Sequence, residues 1–218
     1  FINGNIINGS YKAKVKEEIH FPISYNIPII SGDKLKYEGS FGDGGEFCRR
    51  VFNGYGTLTC RSDKTRVIVD GIFEDDLIKV GSIIHYEKNN RGDEIKVLEI
   101  LGNFEEGQLT GKGSITGYIM FENPIDNSPS SLKILNTQSV GVFQNGMLNG
   151  IGVITNIDGI GKSLKPERSK IIGQFTDDQL SGYGQVNKSS VSMTGNFTES
   201  KFKGIISEES HDFGMTGS

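Results

Sequence analysis

Residues able to do chemistry are few in this chain, and they are widely spaced. The three histidines are His20, His85 and His211. Such separation argues against a nucleophile–His–acid triad or a metal site, and no catalytic, metal-binding or cofactor-binding residue is assigned. Gly161-Lys162-Ser163 has the ending of a phosphate-binding loop. The glycine that such a loop needs five residues earlier is replaced by Asn156, and no strand-to-helix context follows. Lys162, Lys165, Arg168 and Lys170 therefore read as a solvated basic loop, with weak contact to an anionic phospholipid headgroup as the sharper alternative. Cys48 and Cys60 are too few for a disulfide framework and read as reduced thiols, as in a cytosolic protein. Arg91-Gly92-Asp93 matches an adhesion tripeptide, but Gly-Asp between two strands makes a turn. Asn8, Asn187 and Asn196 each open a glycosylation-type sequon. The last of these contains Phe197, which is expected in the core, so all three read as chance matches.

The elements that carry these residues must be strands. The chain has 218 residues and 30 glycines, and Ala13 is its only alanine. Glycine penalises helix interiors, alanine favours them, and the abundant Ile, Val and Thr suit a pleated surface. A net charge of −4 gives no global field that would attract nucleic acid. The longest apolar stretch, from Ile19 to Ile30, is broken by Pro22, Asn26 and Pro28, and falls short of a membrane span.

One pattern recurs along the chain: Gly-x-Phe, then a Gly-x-Gly that begins seven residues after the Phe. It reads Gly102 and Phe104 with Gly111 and Gly113; Gly141 and Phe143 with Gly150 and Gly152; and Gly173 and Phe175 with Gly182 and Gly184. Gly195 and Phe197 lead to Gly204, where Ile206 takes the place of the second glycine. Two copies are looser. Gly39 and Phe41 reach Gly54-Tyr55-Gly56 only after six extra residues, and Gly71 and Phe73 have their second glycine displaced to Gly81. Tyr37, Val69, Ile100, Ser139, Ile171 and Met193 stand two residues before a repeat glycine and share its parity with the Phe, which describes one apolar strand face. Each repeat then folds as a β-hairpin, and hairpins add side by side. The repeat Phe and Gly residues read as core packing, each large Phe lying over a position whose neighbour has no side chain.

This framework resembles the MORN repeat (membrane occupation and recognition nexus), a pattern of Tyr-x-Gly-x-aromatic, a turn, and Gly-x-Gly. Tyr37-Glu38-Gly39-Ser40-Phe41 matches its first half in full. The resemblance implies an all-β, elongated, single-layer antiparallel sheet of stacked β-hairpins. It implies residues 1–34 as a degenerate first repeat with an insertion, and 35–218 as about six repeats. Phe213-x-Met215-x-Gly217 repeats the spacing of Val191-x-Met193-x-Gly195, so the array is expected to continue beyond both ends. Such arrays commonly serve protein–protein contact at the cytoskeleton, cilia or membrane junctions.

Two surfaces are candidates for contact. Tyr55, Ile151 and Tyr183 fill the middle of Gly-x-Gly, on the face opposite the core, where aromatics beside glycine suit an extended or helical peptide. The turns carry acidic residues, among them Asp177 and Asp178, which would stack into a ridge facing a basic partner. The expectation is a non-catalytic interaction scaffold of the cytoplasm, part of a larger assembly with a protein partner. Its alternatives are a peripheral phospholipid-binding module and the regulatory array of a larger enzyme.

Overall fold

The computed structural model describes residues 7–14, 34–43, 50–121, 133–160, 167–188 and 191–208. The strands are β1 (Ile7–Lys14), β2 (Lys34–Asp43), β3 (Arg50–Arg61), β4 (Thr65–Glu74), β5 (Leu77–Lys88) and β6 (Glu94–Glu105). They continue with β7 (Gln108–Phe121), β8 (Lys133–Gln144), β9 (Met147–Ile160), β10 (Glu167–Thr176), β11 (Gln179–Lys188), β12 (Val191–Thr198) and β13 (Lys201–Glu208). Strand order in the sheet follows sequence order, and the sheet is antiparallel, open and not closed into a barrel. No helix occurs among the described residues. The chain forms two compact units, one from residues 1–117 with 142–147 and one from 118–141 with 148–218. β1 pairs with β2 from Ile7↔Phe41 to Lys14↔Lys34. Of the insertion expected from Lys12 to Ile30, Lys12 to Lys14 belong to β1, and the rest, like Cys48, Gly161 to Lys165 and the seventh repeat start near Gly217, lies outside the described residues.

Tight turns set the hairpins. Asp75–Asp76, Asn145–Gly146, Asp177–Asp178 and Glu199–Ser200 each place two successive residues at positive φ, as two-residue type I′ turns require. Asn, Asp and Gly bear that conformation at least cost. The strand therefore resumes at once after the turn.

One face of each unit is buried. In the first unit Tyr37, Leu58, Val69, Ile83 and Ile100 are cross-strand partners in one row across β2 to β6, and all are buried. Tyr37 stacks on Phe52 at 3.9 Å between ring centroids, and both meet Phe73 edge-on. In the second unit Phe175, Phe197 and Leu180 are buried, while Ile171 and Met193 are only half-buried. Phe73, Phe104 and Phe143 are buried as well, so the repeat Phe column is core wherever its side chains are described.

The two glycines of Gly-x-Gly do different work. The first is opposite a Phe of the next hairpin, with Gly54↔Phe73, Gly150↔Phe175 and Gly182↔Phe197. At Gly182 φ is 92°, which accommodates a bulge between Gly173↔Gly184 and Phe175↔Leu180. The second glycine joins an uninterrupted row, Gly39–Gly56–Gly71–Gly81–Gly102–Gly113 in the first unit and Gly152–Gly173–Gly184–Gly195–Gly204 in the second. Tyr37 covers that row at Gly56, and a leucine of the return strand covers it at Gly113, Gly152 and Gly184. A Cβ on Gly113 would stand 2.8 Å from Leu109, and one on Gly152 would stand 2.8 Å from Leu148. Register corrects one expectation. Gly204 pairs with Gly195 without a bulge, so it takes the place of the second glycine, and it is the first glycine that this repeat lacks.

Candidate functional site

The face opposite the core is layered in rows that cross the strands. In the first unit Tyr55 pairs with Ile72, and Ile72 with Val80. They are 64%, 49% and 46% exposed, so they form a continuous apolar strip open to solvent. The next row runs Glu38, Thr57, Asp70, Ser82, Leu101. Asp70 accepts hydrogen bonds from Thr57 Oγ1 at 2.5 Å and from the Tyr55 hydroxyl at 3.1 Å. That hydrogen bond, and then the charge of Asp70, push the Tyr55 phenol above its ordinary pKa, so it remains a neutral donor.

In the second unit Ile151 and Tyr183 are 76% and 67% exposed, as their position in Gly-x-Gly requires. Ile151 pairs with Gln174 and Tyr183 with Asn196, so polar amides flank each apolar group. Exposed Ile72 and Val80 were not picked out in the sequence. Val80 holds the middle position of a Gly-x-Gly whose first glycine is Lys79, and Ile72 is the central residue of Gly-x-Phe. Both follow from strand parity once Gly81 is placed in the glycine row.

The turns are more committed than their charge suggests. Asp178 Oδ1 accepts from Leu148 N–H at 2.7 Å, and Asp76 Oδ1 accepts from Phe52 N–H at 2.7 Å. Asp177 is exposed and accepts from Asn149 Nδ2 at 3.2 Å. Glu105, Glu106 and Glu199 are exposed. Asp178 is exposed as well, with one carboxylate oxygen engaged by the Leu148 N–H.

Arg61 and Arg66 both close on Glu94, with nitrogen–oxygen distances of 2.6 Å, and Arg66 also lies 4.3 Å from the centre of the Tyr86 ring. The Arg61 hydrogen bond chiefly holds the Glu94 carboxyl below its ordinary pKa; desolvation opposes it, and Arg66 adds to it. Of the other basic candidates, Lys162 and Lys165 lie outside the described residues, Arg168 belongs to β10, and Lys170 is exposed on the same strand. Arg91-Gly92-Asp93 forms the turn expected of it, with Asn89 Oδ1 accepting from the N–H groups of Arg91 and Asp93, each at 2.9 Å.

His85 sits on the buried face between Val67 and Leu98. Its Nε2 has no hydrogen-bond partner, and burial lowers its pKa against a weaker opposing pull from Glu87. Among the described residues no three His, Cys, Asp or Glu side chains are grouped to hold a metal ion. None of their helices could cross a membrane, since they include none.

Comparison with protein-family models finds no match, and comparison with curated proteins finds none either. The class that the fold itself defines is an all-β, open antiparallel sheet of successive hairpins.

Proposed function

We propose that the chain is a non-catalytic interaction scaffold that receives a partner segment on the open face of its sheet. The observation that carries this reading is the strip Tyr55–Ile72–Val80, with its counterparts Ile151 and Tyr183. In each unit large apolar side chains stand in solvent on a sheet face whose opposite side is packed. Exposed apolar groups in continuous array mark contact surfaces, and tyrosine supplies binding area at low entropic cost. By its resemblance to MORN arrays, such a scaffold would serve a cytoskeletal, ciliary or membrane-junction assembly.

The membrane reading draws less support. Arg61 and Arg66, a second basic cluster that could face a phospholipid surface, are bound to Glu94. The test is selection of a random peptide library on the purified chain, followed by titration of the selected segments against Tyr55→Ala and Tyr183→Ala. Weakened binding with unchanged thermal melts is expected. Binding that survives both changes removes the face from the account.

A further inference from the structure

On the open face of the first unit, most carboxylates are matched with cations. Glu38 pairs with Lys36 at 2.6 Å, Glu74 with Lys79 at 3.2 Å, Glu99 with Lys96 at 2.8 Å, and Glu94 with two arginines. Among the described residues Asp70 and Glu105, at the end of β6, make no ion pair, and of the two it is Asp70 that borders the apolar strip. Its two donors, Thr57 and Tyr55, are neutral hydroxyls. A carboxylate has about four acceptor positions, so two remain after these bonds.

The surroundings of Asp70 suit one kind of guest. The Tyr55 ring, tethered by its hydroxyl to Asp70, is 64% exposed. Two residues along β4 from Asp70, Ile72 opens the apolar strip that continues to Val80. Ser82 faces Asp70 from β5, with Leu101 beyond it on β6. A lysine or arginine has an apolar stem and a charged tip, and can cover apolar surface while its tip reaches a carboxylate. The face of an aromatic ring attracts the same cation.

We infer that this patch docks a partner-protein segment in which a lysine or arginine stands beside apolar residues. The cation reaches Asp70 along the Tyr55 ring, and its stem and apolar neighbours lie on Ile72 and Val80. The inference rests on the reading of this face as a binding surface, and gives that surface its partner chemistry.

The experiment is selection of a phage-displayed random peptide library on the wild-type chain and on Asp70→Asn, with thermal melts of both. Asparagine keeps the Oδ1 acceptor for Thr57, and its Nδ2, in place of Oδ2, can donate to the Tyr55 hydroxyl oxygen, so the fold is expected to stay. Wild type should enrich lysine or arginine flanked by apolar residues relative to the starting library. The selected segments should bind Asp70→Asn about tenfold more weakly, the loss of one charge-assisted contact. The enrichment is read on wild type alone, so it tests the inference even if the variant folds poorly.

If selected segments are apolar without a preferred cation, and weaken with Ile72→Ser but not with Asp70→Asn, the cation site is wrong while the face remains a binding surface. If nothing is selected, both readings fall. If the chain alone forms a dimer that Asp70→Asn dissociates, the occupant is a second copy and the partner segment is overturned.

Discussion

Leu148 and Asp178 are joined twice: the Leu148 N–H donates to Asp178 Oδ1 at 2.7 Å, and the Asp178 N–H donates to the Leu148 carbonyl at 3.0 Å. Phe52 and Asp76 make the same closed pair at 2.7 and 3.1 Å. Gly146 and Ser200 keep the backbone half of it, donating to the carbonyls of Leu109 and Leu180. Each turn is thereby stitched to the return strand of the hairpin before it. The aspartates serve the fold at a place where their charge suggested a partner.

Asp178→Gly tests that stitch. Glycine accepts the φ of 63° but removes the carboxylate, so the loss should be close to that of one charged hydrogen bond, about 1.5–3 kcal/mol in a denaturant melt. Asp178→Asn, which keeps an acceptor, should recover most of it. Equal losses for the two variants would show that the carboxylate does not cap Leu148.

Leu148 and Gly152 should be coupled. A Cβ on Gly152 would stand 2.8 Å from both Cδ atoms of Leu148, with no backbone atom among its three nearest neighbours. Gly152→Ala should cost about 1–3 kcal/mol by overpacking, and Leu148→Ala about 2–5 kcal/mol by loss of a fully buried side chain. The double variant should be more stable than the sum of the two losses implies. Strict additivity would mean that the leucine does not rest on the glycine row.

Phe143 and Phe175 are fully buried. Replacing either by Ala should lower stability by about 3–5 kcal/mol, read as a shift in denaturation midpoint. An unchanged midpoint for Phe175→Ala would remove the Phe column from the core.

His85 predicts a pH dependence of definite sign. Its pKa in the folded chain is lowered from 6.5, chiefly by burial, so the unfolded chain takes up the proton first. The contribution of neutral His85 is fully present above that ordinary value. It is lost as pH falls from there towards the lower folded value. Urea melts at about pH 7.5 and about pH 5.5 should show this loss in wild type and a smaller one in His85→Leu. An identical pH dependence in the two would place the titration elsewhere.

Much of the fold was legible because glycine and phenylalanine recur in phase. From Gly102-x-Phe104 to Gly182-x-Gly184 the spacing alone places hairpins, and Tyr37, Val69 and Ile100 fall on the buried face as their parity requires. The column Leu109, Leu148, Leu180 was not read, because the segment after each Phe looked like turn. A type I′ turn uses only two residues, so the chain is already back in a strand at these leucines. Bulges were equally hidden: whether Gly204 is the first or second glycine depends on pairing with Gly195, not on count. Of the candidate face, Tyr55, Ile151 and Tyr183 were legible from alternation. The capture of Asp178 was not, because Leu148 lies 30 residues away in sequence.

The most direct measurement is the affinity of one library-selected segment for four chains: wild type, Tyr55→Ala, Tyr183→Ala and Asp177→Lys, each with its thermal melt. A partner seated on the open face predicts that at least one tyrosine variant binds about tenfold or more weakly with its melt unchanged, since buried aromatic anchors dominate such contacts. Asp177→Lys should alter mainly the association rate and its salt dependence. If both tyrosine variants bind as wild type while Asp177→Lys abolishes binding at every salt concentration, the contact lies along the turns, and the open face is not the binding surface.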